Sequence, residues 1–126
     1  MRLLLDSHVA LWWLADDSRL GSACSRAVAE ADEVYFSVVT PWELGIKRAL
    51  GKLDFPDGLV DELTAAGFTE LAISAAHANR APYLPAHHRD PFDRMLVAQA
   101  QLDALSLVSA DRALRPYEVE IIDAGS

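Results

Sequence analysis

The feature that most constrains the fold is an alternation of short apolar runs with stretches patterned for helix. The runs 2-RLLL-5, 34-VYFSVV-39, 69-TELAI-73, 105-LSLVS-109 and 118-EVEIID-123 are apolar or β-branched and suit buried strands. Between them lie 8-HVALWWLA-15, 22-SACSRAVAEAD-32, Thr40 through Leu50, 57–66, 74-SAAHANRA-81 and 91–103, with apolar residues at helical spacing. Strands separated by helices build a parallel sheet covered on both faces. Right-handed crossovers then give an α/β fold, a three-layer α/β/α sandwich with a four- or five-stranded parallel sheet. Ligands of such sheets sit outside the carboxyl ends of the strands, where strand order reverses.

A chain of 126 residues with no internal linker or repeat reads as one domain, 1–126. Its apolar fraction of 52% argues against disorder. Asp6 and His8 interrupt the N-terminal apolar run, no small-residue cleavage site follows, and no stretch is apolar enough to span a membrane. Cys24 stands alone, so an internal disulfide is excluded and a reducing cytoplasm is the expected setting. The net charge of −8 opposes the basic face expected of a nucleic-acid binder. Carboxylates gathered to hold cations give the same total, so charge alone does not decide.

At least three acids fall at the carboxyl edge of the expected sheet, and a fourth can join them. Asp6 follows 2-RLLL-5 directly, and Asp111 comes two residues after 105-LSLVS-109. Glu43 lies in the first turn of the helix after 34-VYFSVV-39. Asp93 lies in the first turn of the 91–103 helix and joins the others if that helix starts at the same edge.

Each acid taken singly reads as a helix cap. In 40-TPWE-43, Thr40 takes the N-cap, Pro41 the first helical position and Glu43 the third, a capping box. In 90-DPFD-93, Asp90 is the cap and Asp93 faces the helix dipole. Side-chain direction argues for more. Asp93 shares a helix face with Leu96, Val97 and Ala100, while Arg94 and Gln101 mark the wet side. Glu43 lies below Ile46, Lys47 and Leu50, which read as a mostly buried stripe. An acid aimed into a core edge is costly unless it is paired or holds a metal. Converging acids repel one another without cations between them.

Carboxylate oxygens suit a hard ion, Mg²⁺ or Mn²⁺. Zinc would need His or Cys, and His77, His87 and His88 lack zinc spacing. The pair 87-HH-88, in the loop 82-PYLPAHHR-89, reads as solvated.

The blocks 5-LDSHVALWWL-14, 38-VVTPWELGIK-47, 89-RDPFDRMLVAQA-100 and 107-LVSAD-111 resemble the signature blocks of PIN-domain ribonucleases. More narrowly, they resemble the VapC toxins of bacterial type II toxin–antitoxin pairs. The resemblance covers nearly the whole chain, in order and at the usual intervals, and the DPFDRML–AQA block is very specific. It implies a PIN-like fold and Mg²⁺-dependent (or Mn²⁺-dependent) endonucleolytic cleavage of RNA. It also implies that Asp6, Glu43, Asp93 and Asp111 form one catalytic, metal-holding cluster, supported by Ser7, Thr40, Asp90 and Ser109. Ser7 and Ser109 stand where the family often has Thr, and both keep a hydroxyl that orients a carboxylate or a water. A homodimer, a cognate small VapB antitoxin and a structured tRNA or rRNA substrate are further implications.

Lys47, Arg48, Lys52, Arg89, Arg94, Arg112 and Arg115 lie on or near the acid-bearing elements and offer a basic rim for phosphates. Lys47, Arg48, Arg94 and Arg112 are the RNA-contact candidates. Trp12, Trp13 and Trp42, at helical positions, read as core or dimer interface.

Rival readings weaken on particular residues. A phospho-accepting receiver needs adjacent acids after the first strand and a Lys after the last. Here Ser7 and His8 follow Asp6, and 118-EVEIIDAGS-126 has no Lys. A haloacid-dehalogenase-type phosphatase needs an acid where His8 stands. A catalytically inactive PIN-fold binding module would have little reason to fill every acidic position. A DNA-acting PIN nuclease usually carries insertions that this chain lacks.

Overall fold

The computed structural model describes every residue from Met1 to Ser126. Its strands are β1 (Arg2–Leu5), β2 (Glu33–Ser37), β3 (Thr69–Leu71), β4 (Ser106–Ser109) and β5 (Ile121–Asp123). They form one five-stranded sheet in the order β3-β2-β1-β4-β5, with every pairing parallel. The helices are α1 (Ser7–Leu14), α2 (Ser22–Glu30), α3 (Val39–Ala49), α4 (Leu59–Ala65), α5 (Ala75–Arg80) and α6 (Pro91–Leu102). Short 3-10 turns occupy Ala81–Tyr83 and Arg112–Leu114. This is the α/β/α sandwich expected from the alternation. No helix is long and apolar enough to cross a membrane.

Leu3, Leu4 and Leu5 of β1 show how the sandwich is held, because all three are fully buried. Side chains alternate across a strand. Leu3 and Leu5 therefore enter a core with Val9 of α1, Cys24 and Val28 of α2, and Leu63 of α4. Leu4 enters a second core on the opposite face with Val39 of α3 and Leu96, Val97 and Ala100 of α6. Burying one leucine contributes roughly 1.5–3 kcal/mol, so a continuous apolar strand is the natural centre of the sheet.

The strand order positions the site. From β1 the chain steps outward to β2 and β3, then returns past β1 to lay β4 and β5 on its other side. Order reverses between β1 and β4. Pairing of Leu5 with Val108, and a hydrogen bond of 2.9 Å donated by the Asp6 amide to the Val108 carbonyl, bring Asp6 beside Ser109 at that point.

Two helix starts differ from expectation. β2 stops at Ser37, whose Oγ accepts the Val39 amide at 3.0 Å, and α3 begins at Val39. The serine hydroxyl turns the chain into the helix two residues early, so Thr40 is not the cap and the Thr40–Glu43 capping box does not form. α4 begins at Leu59, after Gly58 adopts φ +86°, a left-handed turn that glycine takes readily. Asp57, the expected opener, instead pairs with Arg48 at 2.7 Å. The Ser74 cap is found: Ser74 Oγ accepts the His77 amide, and His77 Nδ1 accepts the Ser74 amide.

Candidate active site

Asp6, Glu43, Asp93 and Asp111 all line one cavity of about 400 Å³ at the carboxyl edge of β1 and β4. Three of these carboxylates cap nothing. Asp6 precedes α1, yet its side chain makes no capping bond. Glu43 lies inside α3, beyond the first turn. Asp90 caps α6, accepting the Phe92 and Asp93 amides, which leaves the Asp93 carboxylate free of that task. Only Asp111 does double service: its Oδ1 accepts the Ala113 amide at 2.9 Å and heads the 3-10 turn.

Neighbours fix each acid. Ser109 Oγ donates to Asp6 Oδ2 at 2.6 Å. Burial lifts the Asp6 carboxyl above the usual carboxylate range, and the Ser109 bond opposes that lift. Glu43 is 2% exposed; its Oε2 accepts from Lys47 Nζ at 2.8 Å, and its Oε1 has no partner. Burial works against the Lys47 ammonium, but Glu43, Asp90 and Asp93 outweigh it and hold that charge. Asp93 is perturbed in the same direction. Burial first, then the charges of Asp6, Asp90, Glu43 and Asp111, push its carboxyl up to about 8. Behind the acids, the buried hydroxyls of Ser7 and Thr40 meet at 3.1 Å and tie the start of α1 to the first turn of α3.

Side-chain direction along α6 matches expectation, since Leu96, Val97 and Ala100 are buried beside Asp93. On α3 it does not. Ile46 is 38% and Leu50 65% exposed, so the buried Glu43 does not continue a buried stripe through those residues. Trp42 is 58% exposed, packed edge-on against Phe92.

The basic candidates separate. Lys47 lines the acid cavity. Arg112 is exposed on the 3-10 turn after Asp111. Arg48 points away to Asp57 and stacks over Phe55. Arg94 is not on a wet face: its guanidinium donates to the carbonyls of Pro82, Leu84, Pro85 and His88 and to Tyr117 Oη. Those bonds fold the 82–88 loop over the cavity and carry His88 to the acids. His88 Nε2 lies 2.9 Å from Asp111 Oδ2 and 3.0 Å from Asp93 Oδ2, so it is a site residue rather than solvated loop. Nothing in the spacing of 87-HH-88 signals this, because a distant arginine and tyrosine set the loop's path.

The PIN domain family model matches residues 3–119. Ribonuclease VapC22 of Mycobacterium tuberculosis is 34% identical over 123 residues, covering 91% of each chain. Among solved structures, VapBC2 from Rickettsia felis bound to a DNA fragment from its promoter superposes with a TM-score of 0.68 at 12% identity, covering 98% of both chains. A toxin–antitoxin complex from Klebsiella pneumoniae gives 0.67 at 16% identity and 97% of both chains. DNA-bound VapBC from Salmonella typhimurium gives 0.66 at 16% and 98% of both. These structures speak for the fold. The fold and its acidic cavity define the class: the chain belongs to the PIN-domain family and, within it, to the VapC ribonucleases.

The residues present fit the divalent cation that this family implies. The donor set is oxygen-rich, as Mg²⁺ or Mn²⁺ prefers. A buried carboxylate oxygen, Glu43 Oε1, lacks any protein partner. Asp93 is crowded by four other acids, a surplus of negative charge that a cation would relieve.

Proposed function

We propose that this chain is a Mg²⁺- or Mn²⁺-dependent endoribonuclease acting as the toxin of a toxin–antitoxin pair. The observation that carries the reading is the convergence of four acids on one cavity, three of them free of capping. The name of VapC22, a ribonuclease, supports RNA as the polymer. Asp6 and Asp93 would hold the cation, with Asp111 and Glu43 completing its surroundings directly or through water. When bound, the cation polarises a water and offsets charge developing on the phosphate.

The chain's own residues do the rest. Ser109 keeps the Asp6 carboxylate in one orientation, and Lys47 holds the Glu43 side chain at the cavity wall. Lys47 and Arg112 at the rim would receive the phosphates on either side of the scissile bond. In the reaction a water oxygen joins phosphorus, the bond to the 3′-oxygen breaks, and a proton ends on that leaving oxygen. The products carry 5′-phosphate and 3′-hydroxyl ends, and the 2′-hydroxyl takes no part.

A VapB-type antitoxin is the partner we assign. A groove of about 590 Å³ beside the site is lined by Leu11, Trp12, Leu14, Phe55 and Leu59, which suits the apolar face of a partner helix. His8 and Trp12 line both this groove and the acid cavity, so a segment seated in the groove would reach the acids. Trp13 does not line this groove and packs edge-on against Phe68. The exposed apolar residues Trp42, Ile46 and Leu50 of α3 are the surface we assign to a homodimer. A cytoplasmic setting, with tRNA or rRNA as substrate, completes the reading.

Incubation with total cellular RNA, with and without EDTA, followed by chemical typing of the new ends, tests it. Expected are EDTA-sensitive fragments with 5′-phosphates. Cleavage that survives both EDTA and Asp6→Ala, or cyclic phosphate ends, would sink the mechanism.

A further inference from the structure

His88 sits on the acid cavity in an arrangement that the four acids do not require. Its Nε2 lies between Asp111 Oδ2, at 2.9 Å, and Asp93 Oδ2, at 3.0 Å. Across the ring, the Asp90 amide donates to Nδ1 at 3.1 Å. An amide nitrogen can only donate, so Nδ1 presents its lone pair. The proton of the neutral ring is therefore on Nε2, aimed between two carboxylates.

That tautomer separates two roles. A ligating histidine gives a bare nitrogen to the cation and donates through the other. Here both ends are reversed. Ligation through Nε2 would move the proton to Nδ1, where it would face the Asp90 N–H. Displacement needs no such conflict.

The backbone of His88 is held by groups outside the acid cluster, independently of the contacts its ring makes. The His88 amide donates to Tyr117 Oη at 3.0 Å, and its carbonyl accepts from Arg94 Nη1 at 3.1 Å. Tyr117 Oη in turn donates to the Pro85 carbonyl at 2.7 Å. With both peptide groups held, rotation about the side-chain torsions is the motion that remains.

Resting on the metal reading above, we propose that His88 is a positioning residue that closes the metal-free site. Its Nε2–H holds Asp93 and Asp111 together, and a divalent cation enters by displacing the imidazole, not by taking its nitrogen as a ligand. The carboxylates are thus kept in place for the cation by a neutral donor that leaves when the cation arrives.

Imidazole ¹H–¹⁵N correlation spectra of the full chain during a Mg²⁺ titration read the tautomer directly. Calorimetry with Mg²⁺ compares wild type, His88→Ala and His88→Asn. Without cation the ring is expected to be protonated at Nε2; Mg²⁺ should shift that signal without moving the proton to Nδ1. His88→Ala should bind Mg²⁺ about tenfold more tightly, as expected when donors to charged groups no longer compete. His88→Asn, which retains a donor, should fall between. A ring protonated at Nδ1, a switch to that form as Mg²⁺ binds, or equal or weaker binding by His88→Ala overturns the proposal and leaves the metal reading standing. Absence of Mg²⁺ and Mn²⁺ binding from wild type and both variants overturns the metal reading, and this proposal with it.

Discussion

Ser109 Oγ donates to Asp6 Oδ2 at 2.6 Å across 103 positions of sequence, and the same oxygen accepts the Asp111 amide at 3.0 Å. One hydroxyl therefore orients one acid and anchors the turn that carries another. Burial already raises the Asp6 carboxyl, and the Ser109 bond is the main force pulling it back.

Ser109→Ala should accordingly leave Asp6 easier to protonate and free to rotate. A lost bond to a charged group is worth about 1.5–3 kcal/mol, so the RNA cleavage rate should fall roughly ten- to a hundredfold. Ser109→Thr keeps the hydroxyl and should stay near the wild-type rate. Initial rates on a single RNA substrate check both, and an unimpaired Ser109→Ala would show the contact to be idle.

Arg94 should matter for the loop and not for RNA. Its guanidinium is occupied by the carbonyls of Pro82, Leu84, Pro85 and His88. Arg94→Ala leaves those acceptors without their donor and should cost about 2 kcal/mol, with faster amide exchange confined to 82–88. Exposed Arg112 makes the contrast: Arg112→Ala should leave the melting temperature unchanged and reduce the salt slope of RNA binding by about one. An Arg94→Ala loop that exchanges at the wild-type rate would contradict the first half.

What the sequence made legible was what depends on local pattern. The continuous leucines of β1, the Asp90 cap and the apolar face of α6 follow from residues a few positions apart. The same holds for the placement of Asp6 and Asp111 just past their strands. What escaped depends on distant partners. Thr40 read as a cap because Thr-Pro is helix-opening grammar, yet Ser37 had already turned the chain and freed Thr40 to meet Ser7. Arg94 read as solvated because helical period marks a direction, not what lies there. His88 was missed for the same reason, since Arg94 and Tyr117 draw its loop across the cavity.

The apolar surface on α3 gives a prediction about assembly. Trp42, Ile46 and Leu50 are 58%, 38% and 65% exposed, beside Phe92 at the start of α6. Covering them with a second copy would remove apolar area worth roughly 25 cal/mol per Å² from water. Leu50→Glu should therefore sediment as one chain where wild type sediments as two. Phe55→Ala, in the separate groove, should leave the dimer intact. A wild type that is monomeric at high micromolar concentration would remove the assignment.

Asp93 ties stability to function through its charge. Burial and the neighbouring acids push its carboxyl from 3.8 up to about 8. The folded chain thus holds this proton more tightly than the unfolded chain does. Between those two values the folded state carries the extra proton, so stability linked to this group is complete below about pH 4 and declines as pH rises toward about 8. Asp93→Asn cannot ionise. Without metal it should melt above wild type at about pH 8, by on the order of 2 kcal/mol or roughly 8 °C, and the gap should shrink toward about pH 5. Millimolar Mg²⁺ should reverse that order, because a cation bound only by the folded chain raises wild-type stability by mass action while the variant has lost a ligand. RNA cleavage by Asp93→Asn should drop at least about a hundredfold even as the metal-free fold becomes firmer. Melting curves at both pH values, with and without Mg²⁺, separate these effects. A wild type indifferent to Mg²⁺, or two chains whose melting temperatures rise together with it, would mean that Asp93 holds no cation.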